Sequence, residues 1–270
     1  MITNCIFCKI SGEKLGNKDI YNKHDSADPS GKSYGVRKTY EIFQCTNCKL
    51  FWVKDIDEKN YESFYDSDFW TTYMERRGWI NGYTKERLDS DLKYANLRLP
   101  EIKKFVSGGS YLDIGCSTGA MLKVLGDNGF TTCNGVEPDS TLSKKAFEYT
   151  NCYIHPKALD GTEKHIPNDN YDLITACDVI EHLTNPLEQV KVWVNKLKVG
   201  GVIWIEAPDS GCDNCVKNPL EFDYCNPEEH IFYYNKEHIR KIFTTMSCAC
   251  LYSDNQWTTD RMRLVFKRVF

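Results

Sequence analysis

No stretch of the chain approaches 18 consecutive apolar residues, so a bilayer-crossing helix is not expected. The N-terminus, Met1-Ile2-Thr3-Asn4-Cys5, lacks a basic region leading into an apolar one, which predicts a chain without a secretory signal. Charge of one sign is lacking as well. Against 38 Asp/Glu stand 34 Lys/Arg, a net charge of −4, and no Lys/Arg run or basic helical stripe offers the footprint that a phosphate backbone needs. Nucleic acid is therefore not expected as a partner. Glycine (17) and proline (9) are too few in 270 residues for a fibrous or low-complexity chain, and 41% hydrophobic residues are too many for a disordered one. The length allows one large domain, or a medium one with a small attachment.

What is abundant is cysteine, 13 in all. In a chain without a secretory signal these read as reduced thiols or metal ligands, which predicts a cytoplasmic protein. Cys5-Ile6-Phe7-Cys8 and Cys45-Thr46-Asn47-Cys48 are two CxxC pairs with no cysteine between them. Each pair can turn two thiolates toward one ion, and together they complete a closed tetrahedral shell for a structural Zn²⁺; the competing reading is four unligated thiols. The stretch from Ser11 to Lys38 is polar and builds no core by itself, so metal ligation would supply the folding energy. Tyr40–Gln44 and Leu50–Val53 read as ribbon strands. A zinc ribbon is thus predicted over 1–54.

Residues 55–108 read as a helical connector or lid. Tyr61, Phe64, Tyr65, Phe69, Trp70, Tyr73, Trp79 and Tyr83 give it an aromatic run, and Leu88, Leu92, Ala95 and Leu99 share one helical face. From Gly108-Gly109 onward the pattern changes to short apolar strands near 111–114, 133–136, 152–155, 171–176 and 202–206, alternating with helices near 119–128, 140–150 and 187–198. A helix over 236–245 and strands near 248–253 and 263–269 close the domain. Such alternation specifies a doubly wound, mostly parallel α/β sheet of seven strands over 109–270, with ligands beyond the carboxyl ends of its strands.

The first of these strands ends in Asp113-Ile114-Gly115-Cys116-Ser117-Thr118-Gly119. A dinucleotide fingerprint would need glycine at 117, where backbone must approach a pyrophosphate. Serine stands there, and Asp113 favours a cationic ligand over a diphosphate. Glu137, at the end of the second strand, can accept ribose hydroxyls. An adenosine without phosphate and with a cationic tail describes S-adenosylmethionine.

These residues resemble the class I S-adenosylmethionine-dependent methyltransferases. Asp113-x-Gly115-x-x-x-Gly119 is similar to their first motif and Val136-Glu137-Pro138 to their ribose segment. Tyr171-Asp172-Leu173-Ile174, Asp178-Val179-Ile180-Glu181-His182-Leu183 and Leu197-Lys198-Val199-Gly200-Gly201 follow in order. The resemblance implies a cofactor site of Asp113, Gly115, Ser117, Gly119, Glu137 and Asp178, with Glu163 offered for the adenine. His182 and His230 are the candidate catalytic bases, an ordinary imidazole pKa near 6.5 suiting that task. The segment His230-Ile231-Phe232-Tyr233-Tyr234-Asn235 resembles sugar and quinone methyltransferases. The expected acceptor is accordingly a small polar molecule, a sugar or nucleotide-linked sugar, methylated on oxygen or carbon. Alternatives are a quinone-type O-methyltransferase, in which a metal would sit at Asp178-x-x-Glu181-His182, an RNA or protein methyltransferase, and a non-catalytic cofactor binder. A third pair, Cys212-Asp213-Asn214-Cys215, with Cys225 and His230 downstream, is a candidate second zinc site.

Overall fold

The structure, a computed structural model, describes residues 4–21, 36–56, 83–255 and 258–270. The N-terminal strands are β1 (Glu13–Tyr21), β2 (Val36–Gln44) and β3 (Phe51–Val53), paired antiparallel in that order. Helix α1 (Lys85–Ile102) follows, capped by the Thr84 hydroxyl, which accepts from the Arg87 amide. Then strands and helices alternate: β4 (Gly109–Ile114), α2 (Ala120–Gly126), β5 (Phe130–Val136), α3 (Ser140–Thr150), β6 (Tyr153–His155), β7 (Tyr171–Cys177), α4 (Pro186–Lys196) and β8 (Leu197–Pro208). A short helix α5 (Asp213–Lys217), strand β9 (Phe232–Tyr233), helix α6 (Lys236–Thr244) and strands β10 (Cys248–Asn255) and β11 (Arg261–Arg268) complete the chain.

Seven strands form one sheet in the order β10-β11-β8-β7-β4-β5-β6, with β4 to β8 mutually parallel and β11 antiparallel to both its neighbours. Alternation along each strand decides the packing, because successive side chains leave opposite faces. Tyr111, Leu173, Trp204 and Val265 point to one side and pack with Ala95 of α1, Leu122 and Leu125 of α2 and Ala146 of α3. Leu112, Ile174, Ile203, Ile205 and Leu264 point to the other and pack with Val190, Trp193 and Val194 of α4 and Ile239, Ile242 and Phe243 of α6. The expected doubly wound α/β architecture is present. The expected helical face of Leu88, Leu92, Ala95 and Leu99 is the one α1 lays on the sheet. The aromatic run from Tyr61 to Trp79 lies outside the described residues.

Two features were not expected. Polar residues 13–21 form β1, whose register against β2 is held by exposed cross-strand pairs, Lys14 with Glu41 and Asp19 with Thr39, rather than by apolar alternation. And the ribbon sheet has a fourth strand, β9, contributed from beyond β8, with Phe51 facing Tyr233 and Trp52 facing Phe232. The ring of Phe51 stacks on that of Tyr233 at 4.4 Å between centroids. Cys5, Ile42, Phe51 and Trp52 belong to the same apolar core as α4 and α6, so the ribbon is built onto that face of the large sheet.

Candidate active site

The loop after β4 turns sharply at Gly115 (φ +72°) and Gly119 (φ +80°). A Cβ would strike the Val179 methyl at 2.7 Å in the first case and the Thr150 methyl at 2.8 Å in the second, so glycine serves both conformation and space. Ser117 is also left-handed (φ +49°), and its amide donates to Glu137 Oε2 at 2.9 Å, while the Asp139 amide donates to Oε1 at 3.0 Å. Glu137 is thus held at the end of β5, facing the loop. Burial is the main cause that raises its pKa to about 7, opposed by those two backbone donors. Asp113 is buried and accepts from the Thr175 hydroxyl at 2.6 Å; burial raises it to about 7 as well. Helix α1 supplies two further groups that the sequence reading missed. Arg87 donates to the Ser117 hydroxyl at 3.1 Å, and Asp91 accepts from the Thr118 hydroxyl at 2.8 Å and pairs with Arg87. Their i, i+4 spacing on the polar face of α1 is the signal that would have found them.

Beyond β7 the chain passes Asp178 in the left-handed region (φ +57°), its carboxylate paired with Arg261 of β11, and then makes one 3₁₀ turn over Ile180–His182. Because Gly115 abuts Val179, this segment borders the glycine loop. The His182 Nδ1–H donates to the Glu229 carbonyl at 2.6 Å, and the His230 Nδ1–H donates to the Tyr224 carbonyl at 2.8 Å. The two rings meet edge to face at 4.7 Å. Burial holds both imidazoles well below the ordinary value near 6.5 expected of them, His230 to about 4, so they are neutral at neutral pH and weaker bases than the sequence implies. Glu181 lies beside them, 3% exposed, with neither carboxylate oxygen hydrogen-bonded among the described residues; burial, reinforced by Asp178, raises it to about 8. Ligand-capable atoms of Glu181, His182 and His230 lie within 4.8 Å of one another. The Ile231 amide donates to the Glu181 carbonyl and the Val53 amide to the Ile231 carbonyl, so the segment carrying His230 is pinned between the 3₁₀ turn and the ribbon.

The two N-terminal knuckles have the same form. Cys8 N donates to Cys5 Sγ and Cys48 N to Cys45 Sγ, and each knuckle closes through a left-handed lysine, Lys9 and Lys49. All four sulfurs lie within 4.8 Å of one another, Cys5 and Cys48 at 3.5 Å. A tetrahedral thiolate shell on zinc spaces its sulfurs about 3.8 Å apart, so the donor set fits that ion. His238 of α6 ties the second knuckle down, its Nε2–H donating to the Cys48 carbonyl at 2.9 Å while its ring stacks on Phe7. Cys212, Cys215 and Cys225 are buried but form no such group among the described residues; His230 stands with Glu181 and His182 instead. Glu163 accepts from the Asp160 and Gly161 amides, and Lys196 pairs with its other oxygen at 2.9 Å, so residues 159–166 fold around it.

A family model described as a methyltransferase domain matches residues 80–251, more than half of the chain. The chain belongs to that family. It is a class I S-adenosylmethionine-dependent methyltransferase, and solved structures share its fold. An S-adenosylmethionine-dependent methyltransferase from Archaeoglobus fulgidus is 17% identical, with a TM-score of 0.55 over 74% of this chain and 100% of that one. The magnesium protoporphyrin IX methyltransferase of Synechocystis, solved with S-adenosylhomocysteine bound, is 14% identical, with a TM-score of 0.53 over 79% and 100%. A Pyrococcus horikoshii protein is 19% identical, with a TM-score of 0.52 over 65% and 90%. At these identities the likeness is one of fold, and it leaves the acceptor of this methyltransferase to be read from its own site. No curated protein matches the chain.

Proposed function

We propose that this methyltransferase acts on a small polar acceptor, a sugar or nucleotide-linked sugar, methylating oxygen or carbon. The observation that carries the reading is the meeting of Glu181, His182 and His230 beside the glycine loop, with Tyr224 stacked on His230 as a flat platform for a ring. An acceptor pocket lined by imidazole, carboxyl and phenol groups suits a hydroxyl-rich molecule. The acidic balance and the missing basic stripe speak against RNA.

When bound, S-adenosylmethionine supplies a sulfonium methyl group open to in-line displacement. The chain does the rest. Gly115, Ser117 and Gly119 shape the cradle, with Asp113 behind it at the end of β4. Glu137 keeps lone pairs for ribose hydroxyls beside its two backbone donors. Glu163 acts on the adenine end through the loop it organises. Asp178, fixed by Arg261, walls the methionine end. His182 and His230, neutral and oriented by backbone carbonyls, are the groups of this chain that act on the acceptor. Cys5, Cys8, Cys45 and Cys48 hold one structural zinc, with every position taken by sulfur and none left for a water molecule. In this reading 1–54 is the ribbon, 55–108 the connector and 109–270 the catalytic domain.

Transfer of label from methyl-labelled S-adenosylmethionine onto a panel of nucleotide sugars, free sugars, quinols and RNA tests the proposal. Label on a sugar supports it. Label on quinols or RNA alone replaces the acceptor class, and absence of cofactor binding in zinc-replete protein removes the catalytic reading.

A further inference from the structure

We propose that Glu181, His182 and His230 form a binding site for a divalent first-row transition ion, Zn²⁺ being the best chemical match, distinct from the Cys₄ shell. Three observations converge on it. First, Glu181 is 3% exposed and, among the described residues, neither of its oxygens has a hydrogen-bond partner. Desolvating a carboxyl group without a partner is unfavourable, and such groups in folded proteins mark a missing ion or a functional role. Second, each histidine directs its Nδ1–H to a main-chain carbonyl, His182 to Glu229 and His230 to Tyr224. That fixes the tautomer and leaves Nε2 as the lone-pair nitrogen of each ring, which is how metal-binding histidines are oriented by their surroundings. Third, the three side chains bring ligand atoms within 4.8 Å of one another although His230 comes from a distant segment. Bonds of about 2.0 to 2.2 Å place ligand atoms around a tetrahedral ion roughly 3.4 Å apart, so binding draws the three inward.

The composition of the set selects the ion. Two imidazoles and one carboxylate suit zinc, iron, cobalt or nickel, whereas magnesium and calcium prefer oxygen alone. Asp178 is not part of it, because Arg261 holds its carboxylate. Three protein ligands leave a coordination position open, which gives the site a use: an acceptor hydroxyl can fill that position and be polarised there. Vicinal hydroxyls, which chelate, would be favoured over isolated ones. The ion-binding proposal does not depend on the identity of the methyl acceptor.

Cobalt(II) substitution of the full chain separates the two sites. Thiolate ligation gives intense near-ultraviolet charge transfer, and nitrogen and oxygen ligation gives weak visible bands without it. The expected result is two cobalt ions per chain, one of each kind. Glu181→Gln and His230→Gln should each lose the second ion, with affinity down by at least about 100-fold, while keeping the thiolate ion. Titration of each variant with S-adenosylmethionine reports on the fold and on the cofactor site, so a failure of the methyltransferase reading would be seen separately. A single cobalt per chain, all of it thiolate-bound, would overturn the proposal. So would a second ion that survives both substitutions and disappears in Cys212→Ser.

Discussion

The proposed cofactor side and the proposed acceptor side of this methyltransferase are built differently. On the cofactor side the glycine loop and Glu137 sit at the ends of two adjacent parallel strands, β4 and β5, and are joined by short bonds from main-chain amides, Ser117 to Glu137, Asp139 to Glu137 and Gly115 to Val136, with Arg87 and Asp91 of α1 and Asp178 added around them. On the acceptor side the groups come from a 3₁₀ turn after β7, a loop before β9 and the N-terminal ribbon, which is tied in through β3–β9 pairing and through His238. The first is a local device that a βα unit forms wherever it folds. The second exists only once distant segments have packed, and its precision depends on the ribbon.

The largest effect should come from the ribbon. Under the proposed zinc ligation, Cys45→Ser, or removal of the ion by a chelator, takes away a ligation free energy of order 10 kcal/mol and with it the strand that pairs with β9. Methyl transfer should fall to background while S-adenosylmethionine still binds within a few-fold of the native affinity; calorimetry and label transfer on the same sample check this. Equal loss of both would mean that the two sides are one unit.

His230→Ala should follow, slowing turnover by about 10²- to 10⁴-fold with cofactor affinity unchanged, the range seen when a positioned polar group at the reacting atoms is lost.

Glu137 gives the converse. Glu137→Ala should weaken cofactor binding by about 10- to 100-fold, as expected for losing hydrogen bonds to a charged group. Its protonation adds a signature. With a pKa raised from the ordinary 4.5 to about 7, the folded state holds this proton more tightly than the unfolded one. Its contribution to stability is therefore fully present below about 4.5 and is lost as pH rises through about 7. Glu137→Gln should be more stable than the native chain at pH 8, by up to about 3 kcal/mol, with the difference nearly gone at pH 5. Cofactor affinity, which needs the carboxylate, should decline in the native protein as pH drops below 7. Melting curves and titrations at the two pH values check both.

The smallest effect belongs to His238→Ala, which leaves the four cysteines in place but frees the Cys48 carbonyl. A loss of about 1 to 2 kcal/mol in stability is expected, with a slower turnover and the same cofactor affinity.

This contrast also explains what could be read from the sequence. Asp113, Gly115, Gly119 and Glu137 lie within one continuous stretch whose pattern states the loop, and the strands and helices of the large sheet fall where apolar alternation puts them, within a few residues. The Cys₄ grouping was legible for the same reason, since two knuckles are local. Strand β1 was not, because it shows no apolar alternation: Leu15 packs against the core, but its register is held by exposed pairs such as Lys14 with Glu41. The grouping of Glu181 with His230 was not, because nothing at residue 181 indicates which distant histidine will pack beside it. Nor was the pairing of Asp178 with Arg261, a contact between β11 and the segment after β7 that only the sheet order creates. Glu163 shows the same limit: the acidic residue is visible in sequence, but its buried partner Lys196 is supplied by the end of α4.

The most direct test of two separately built sides is a paired measurement on Glu137→Ala and His230→Ala, reading the dissociation constant for S-adenosylmethionine and the single-turnover rate of methyl transfer at saturating cofactor. Glu137→Ala should raise the dissociation constant and leave the saturated rate within a few-fold, while His230→Ala should lower the rate and leave the dissociation constant unchanged. If both substitutions move the same quantity, the division into a cofactor side and an acceptor side is contradicted.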